Sequence, residues 1–331
     1  MYISADTLDD VLRRVIGKLL KSKNRIRTSR GWTREIFGVL LQVTHPRARL
    51  SRTEKKGTLF SCLGELLWYL AKTNDLGFIN YYAPEYQADS DDGQTIRGAY
   101  GIRLFNMGGN DQVANVLRLL REVPNSRRAV IQLFDASDIA KHYKAIPCTC
   151  TMQFTVRRKR LDMLTSMRSN DVFLGLPHDV FAFTMLQELL ARALNITLGT
   201  YKHAVGSLHI YEKHIQSARV YLREGWQREV SMPRMPVGDP WPSVKALLNA
   251  ERELRDGRPI EASKLRIHPY WADLVRLLEI YRHFRNDDRE KIGPLKSLIT
   301  SRVYDPYIDR KRQNPPRRAS GIHTAPQLSL F

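Results

Sequence analysis

Between residues 149 and 211 the hydrophobic period changes twice, and this succession narrows the fold more than any other feature of the chain. "TCTMQFTVR" and "LDMLTSM" alternate as strands do, "PHDVFAFTMLQELLARAL" is a helical pattern with proline in its first turn, and "GTYKHAVGSL" returns to a strand pattern. The helical stretch is apolar on nearly every side, so it belongs inside a core. Upstream the same alternation holds. Leu8, Val11, Leu12, Val15, Leu19 and Leu20 recur at helical spacing within "MYISADTLDDVLRRVIGKLL", which reads as one amphipathic helix. "LGELLWYLAK" and "VANVLRLLREV" are further helices, and "REIFGVLLQVTH" and "RRAVIQLFDA" further strands. No internal repeat is visible, so the expectation is an α/β (α+β) fold, with residues 1–230 as one catalytic-sized domain.

From about residue 230 the character changes. "MPRMPVGDPWP" is a proline-rich connector, two charged helical patterns follow to about residue 305 as a helical extension, and 306–331 reads as a basic tail without a core of its own. Charge matters next, because 53 basic against 34 acidic residues leave a net +19 and favour an anionic partner: a phosphorylated small molecule, a nucleic acid or an acidic protein surface. No run approaches the roughly 18 apolar residues of a membrane span. Three cysteines, Cys62, Cys148 and Cys150, make no disulfide framework, and the chain reads as cytoplasmic.

Cys148 and Cys150 stand two apart on a strand pattern, which would put their α carbons roughly 6.7 Å apart, at the outer limit for a disulfide. A zinc site would want four ligands, and no paired histidines stand nearby at ligand spacing. No metal is expected. A small buried hydrophobe remains a sound reading of Cys150 and Cys62. Cys148 differs through its company.

"PCTCTMQF", "MRSNDVFLGLPHDVFAF" and "GSLHIYEKH", preceded in order by "ELLWYL", "GAYG" and "NSRRAVIQLFD", resemble the thymidylate synthase family, most closely its cytidylate hydroxymethylase branch. The resemblance spans about residues 7 to 222. It implies the fold of that family, a mixed sheet packed by helices and assembled as a homodimer, and 5,10-methylenetetrahydrofolate as one-carbon donor. It also implies a set of roles. Cys148 would be the nucleophile that adds to carbon 6 of a pyrimidine, with Arg168 lowering its pKa. Glu65 would organise water and protons around base and folate, and Tyr100 would stand near the reacting carbon. The phosphate cradle would be Arg30 (or Arg27), Arg168 with Ser169, and Arg127 with Arg128 reaching across from the partner subunit. Asn170 falls in the same nucleotide-binding strand, His209 and Tyr211 would read the ribose, and Asp171 and Gly175 would meet base and folate.

Two positions bear on substrate and product. In "LGLPHDVF" the thymidylate synthases carry asparagine where this chain has Asp179, and an ionised aspartate accepts from the exocyclic amine of cytosine but meets the carbonyl oxygen of uracil with like polarity. A cytidine monophosphate (dCMP or CMP) is therefore the expected substrate. The competing reading of Asp179 is a helix cap or a protonated acid, with His178 altering its character. In "YYAPEYQ", Ala83 is set opposite the tryptophan that shields the exocyclic methylene in the synthases, which would admit water and give hydroxymethylation; methylation of dUMP is the alternative. An inactive relative that binds nucleotide or nucleic acid is the second alternative, which the charge keeps open. Finally, Gln327-Leu328-Ser329-Leu330-Phe331 resembles the peptide by which bacterial proteins dock on the DNA sliding clamp.

Overall fold

The computed structural model describes residues 1–53 and 58–313; the clamp-like peptide at 327–331 lies outside them. Seven strands, β1 (Tyr2–Ala5), β2 (Arg25–Thr28), β3 (Gly31–Val43), β4 (Val130–Gln132), β5 (Thr149–Arg157), β6 (Arg160–Asp171) and β7 (Thr197–Tyr211), form one sheet. Its order is β1-β3-β7-β6-β5-β4, with β2 paired to β3. The sheet is mixed: β1 runs parallel to β3 and β6 parallel to β7, while the other pairs are antiparallel. The helices are α1 (Leu8–Lys21), α2 (Leu59–Leu70), α3 (Leu76–Tyr82), α4 (Tyr100–Asn106), α5 (Gln112–Glu122), α6 (Gly175–Ala193) and α7 (Ile215–Arg223) in the body. The extension adds α8 (Trp241–Arg255), α9 (Pro269–Arg285), α10 (Ile292–Ser297) and α11 (Asp305–Gln313). Among the described residues no helix is long and apolar enough to cross a membrane.

The amino-terminal segment is not one helix. Tyr2–Ala5 pair with Leu40–Val43 of β3, and the helix starts only at Leu8, where the Thr7 side chain accepts from Asp10 N. Four residues alternate too briefly to announce a strand, so the ladder partner decides. Within α1, Asp9 and Asp10 at the start and Lys18 and Lys21 at the end suit the helix dipole, and Leu8, Val11, Leu12, Val15, Ile16 and Leu19 are buried.

Helix α6 is the centre of the core, as its all-round apolar pattern requires. Several of its polar groups are satisfied: Gln187 Nε2 donates to the carbonyls of Leu161 (2.8 Å) and Thr200 (2.9 Å), and Glu188 pairs with the buried Arg49, whereas Gln187 Oε1 and Arg192 Nε are buried without a partner. The extension docks through aromatic rings. Tyr82 of α3 stacks on Tyr281 of α9 with centroids 5.2 Å apart, and its hydroxyl donates to Glu251 of α8 at 3.0 Å. The core does not end at residue 305, since Tyr307 and Ile308 of α11 are 2% and 0% exposed; of the segment expected to lack a core from 306, the described residues 306–313 pack as part of this helix.

Candidate active site

Cys148 is half-buried immediately before β5, whose register against β6 shifts between Thr149 and Thr151. Its carbonyl accepts from Arg168 N at 2.9 Å, so nucleophile and arginine sit opposite one another on neighbouring strands. The guanidinium is fixed by the carbonyls of Pro147 (Nε, 2.9 Å) and Ile146 (Nη2, 3.3 Å), and Nη2 also approaches Cys148 Sγ at 3.6 Å. Gly206 of β7 makes this alignment fit, because a Cβ there would stand 2.9 Å from the Arg168 carbonyl. Burial pushes the Cys148 thiol above its ordinary pKa, Arg168 pulls it down, Asp179 pushes it up and Arg30 pulls it down again. The thiol form therefore prevails at neutral pH, and attack requires the proton to leave as the bond forms.

Tyr100 begins α4, and its hydroxyl accepts from Thr149 N (3.1 Å) and Thr149 Oγ1 (3.0 Å). Thr149 thus anchors the tyrosine beside the nucleophile. Glu65 is buried on α2 and accepts from Tyr69 (2.6 Å) and Tyr86 (2.7 Å). Burial first, and the charge of Glu65 next, hold both phenols well above their usual pKa, so they remain donors.

Asp179 lies in the first turn and a half of α6 but does not cap it, since the cap position is Leu174. Its pKa is pushed up to about 8 by burial and then by Glu65, against the lowering influence of His178 and Asn170. Burial and Glu65 thus favour the carboxylic acid, which offers one donor and one acceptor, over the acceptor-only carboxylate. Asn170 beside it donates to His203 Nε2 at 2.9 Å, while Tyr201 meets the other ring nitrogen at 2.7 Å, and burial drives His203 down to about 3, so that ring is neutral. Gly175 serves this corner by absence of a side chain: a Cβ would stand 2.7 Å from Asn170 Oδ1. Asp171 Oδ1 accepts from the backbone of Phe173 (2.7 Å) and Leu174 (3.1 Å), leaving Oδ2 buried without a partner.

On the remaining side, Ser169 Oγ lies 3.4 Å from His209 Nδ1, and the rings of His209 and Tyr211 meet edge-on at 5.2 Å. Arg30 follows β2 and pairs with Asp89 at 2.5 Å, and its charge reaches both Cys148 and Tyr211. Both loop arginines are exposed; Arg30 lies in the β2–β3 turn and its charge is the one felt at Cys148 and Tyr211, while Arg27 lies within β2 opposite Trp32.

Arg127 and Arg128 stand apart. The Arg127 carbonyl accepts from Gln153, five residues along β5 from Cys148 and hence roughly 15 Å away. Both arginines are exposed at the edge of the sheet. Ala83 does not line the opening that was expected of it. It is 5% exposed at the end of α3, and three residues on Tyr86 reaches Glu65 and packs edge-on against Trp68 at 5.5 Å. Tyr86 and Tyr69 were not anticipated; a one-turn shift of register in "YYAPEYQ" would have found the first, and Tyr69, four residues after Glu65 on one helix face, carried a signal that core packing explains equally well.

Residues 6–259 match the thymidylate synthase family profile. The solved thymidylate synthase of T4 phage is similar in fold, with a TM-score of 0.58 and 22% identity over 72% of this chain and 89% of that one.

Proposed function

This chain belongs to the thymidylate synthase family, and from that premise we propose that it transfers a one-carbon unit from methylenetetrahydrofolate to carbon 5 of a cytidine monophosphate, leaving it as hydroxymethyl. The observation that carries the reading is the 3.6 Å approach of Arg168 to Cys148 Sγ in a pocket where Asp179 carries its proton at neutral pH. The Cys148 sulfur bonds to carbon 6 as its proton passes to solvent, and the ring electrons displaced toward nitrogen 3 take the Asp179 proton. The Asp179 carbonyl oxygen accepts from the exocyclic amine. Carbon 5, now electron-rich, bonds to the one-carbon unit and gives its proton to the Glu65 carboxylate, which Tyr69 and Tyr86 hold in place; the bonds from that unit to folate break, and the folate nitrogens take up that proton and one from solvent. Water adds its hydroxyl to the resulting exocyclic methylene and releases a proton to solvent, nitrogen 3 returns its proton to Asp179, and Cys148 departs from carbon 6 and takes up a proton from solvent.

Methylenetetrahydrofolate supplies, when bound, the one-carbon unit at the oxidation level of formaldehyde. The residues present fit it: Asp171 Oδ2 is a buried acceptor in want of a donor such as a pterin N–H, and Leu174 beside it is 48% exposed and apolar. Phosphate falls to Arg30, Arg168 and Ser169, and ribose to His209 and Tyr211. Because Arg127 and Arg128 are remote from their own cysteine, they would complete the site of a second copy. The exposed Phe37 (80%) and Val130 (42%) on the sheet support such a homodimer. A cytoplasmic location suits this chemistry.

One observation favours the alternative of dUMP methylation: Tyr86, three residues after Ala83, places an aromatic ring against Glu65. Its hydroxyl, unlike an indole face, is able to hold a water, which keeps hydroxymethylation as the preferred reading. Incubation with dUMP, dCMP and CMP plus methylenetetrahydrofolate decides between them. A mass gain of 30 on a cytidine nucleotide without dihydrofolate is expected on the loss-free addition of CH2O, roughly as the proton and water bookkeeping above requires. Equimolar dihydrofolate with a methylated product would overturn it.

A further inference from the structure

The turn between β5 and β6 is built from residues that a hairpin ordinarily avoids. Arg157 pairs with Arg160, leaving Arg158 and Lys159 as a two-residue loop, and both lie in the left-handed region, with φ of 50° and 57°. Such a loop favours Asn-Gly or Asp-Gly, because a Cβ is strained there and only a short polar side chain offsets the cost locally. Here two long cations take those places. Next to them Arg157 and Arg160 stand directly across the ladder from one another, a like-charge pair that weakens a hairpin. All four side chains are exposed, and no acid occurs between Thr155 and Leu161 to offset them. The tip is nonetheless held in place, since Thr197 donates to the Lys159 carbonyl from both N (3.0 Å) and Oγ1 (2.9 Å).

The positive surface continues past the hairpin. Arg118 and Arg121 are exposed about one turn apart on α5, and Arg121 Nη2 donates to the Ala193 carbonyl at 3.1 Å, so α5 and the hairpin tip flank the same 193–197 turn. Among the described residues none of these cations takes part in an ion pair. Asp162, the next acid along β6, is turned to Thr200, whose N it accepts from at 2.6 Å. We infer that this end of the sheet docks on the phosphate backbone of a nucleic-acid duplex. Strain at Arg158 and Lys159 and repulsion between Arg157 and Arg160 are both offset when a row of anions lies against the tip. A lone phosphate would leave most of that surface unpaired. No large apolar side chain is exposed on the hairpin or on the 193–197 turn, so neither offers the wedge that seats a protein in a membrane surface. Neither carries an aromatic ring to stack on unpaired bases, which favours a duplex over a single strand. Arg157 stands nine residues beyond Cys148 on the same strand, roughly 30 Å away, so this docking is separate from the one-carbon reaction.

The test is fluorescence anisotropy of the full-length protein with a short labelled DNA duplex, with salt varied and neither nucleotide monophosphate nor folate present. The logarithm of the binding constant should fall linearly with the logarithm of salt concentration. Arg158→Asn/Lys159→Gly removes two cations and supplies the residues the turn prefers, so it should keep or raise the Tm. In that variant binding should weaken about tenfold at low salt, and the salt slope should shrink by about 2. A second variant, Arg157→Thr/Arg160→Thr, replaces the like-charge pair by a cross-strand pair suited to a sheet and should weaken binding in the same way. Unchanged affinity and slope in the two folded variants would overturn the inference. An equal loss in Lys245→Gln/Arg252→Gln, which removes the same charge from exposed positions on α8, would also overturn it, because overall charge rather than this surface would then be binding. Tighter binding to a single-stranded RNA of the same length would overturn the duplex, and binding to phosphatidylserine vesicles at a salt concentration that releases the duplex would assign the surface to a membrane instead.

Discussion

Replacing Arg168 by glutamine isolates the electrostatic activation of Cys148. The guanidinium stands 3.6 Å from the sulfur. Unit charges about 4 Å apart at an effective dielectric of about 20 interact by about 4 kcal/mol. Arg168 is exposed on its outer side, so solvent screens much of this, and about 1 to 3 kcal/mol of thiolate stabilisation should survive. Removing the cation raises a thiol pKa that burial has already raised, so at pH 7 the thiolate fraction should fall roughly tenfold to a hundredfold. The assay is the rate of Cys148 alkylation by iodoacetamide against pH in a Cys150→Ser background, with no nucleotide present. The midpoint should move to higher pH in Arg168→Gln. In Arg168→Lys it should move less, because the charge remains but the fork that also serves the Pro147 and Ile146 carbonyls is lost. An alkylation midpoint unmoved in Arg168→Gln would refute the reasoning, and Cys148 activation would have to come from elsewhere in the pocket.

Cys148→Ser should abolish turnover while nucleotide binding, measured by calorimetry, persists, because a hydroxyl is a far poorer nucleophile at neutral pH. Asp179→Asn should shift the ratio of kcat/KM from cytidylate toward uridylate. In the unaltered protein that ratio should rise with pH: as Asp179 ionises through about 8 it loses the proton that uracil's oxygen needs, whereas cytosine's more basic ring nitrogen retains a shared one. Mixing Cys148→Ser subunits with Arg127→Ala/Arg128→Ala subunits, each inactive alone, should restore activity at one site per mixed dimer; no recovery would place these arginines outside the site. Gly64→Ala should destabilise the fold by about 1–3 kcal/mol in thermal unfolding, since the new Cβ would meet the Tyr82 ring at 2.1 Å and that ring is held by Glu251 and Tyr281 of the extension.

Much of the molecule was legible in one dimension. Period 2 and period 3.6 marked β5, β6, β7 and α6, because each buries a continuous face or, for α6, its whole circumference, and burial writes itself into local pattern. Cys148, Arg168, Asp179 and Asn170 lie in two short segments on adjoining elements, so the motifs around them carried the resemblance to the family, and with it their expected roles, before any contact was known. β1 was not legible, because four residues take strand form only through the hydrogen bonds that β3 offers. Nor was the reach of Tyr86: whether Ala83 or Tyr86 faces Glu65 depends on where α3 stops, which its packing against the extension sets. The sequence named Asp179 and left its proton undecided. That proton depends on how little solvent reaches the carboxyl and how near Glu65 and His178 are brought to it, distances that exist only when α2 and α6 are packed together. Residue type is a local property of the chain, whereas dielectric and charge proximity are properties of the assembled core, and it is there that this pocket acquires its acid.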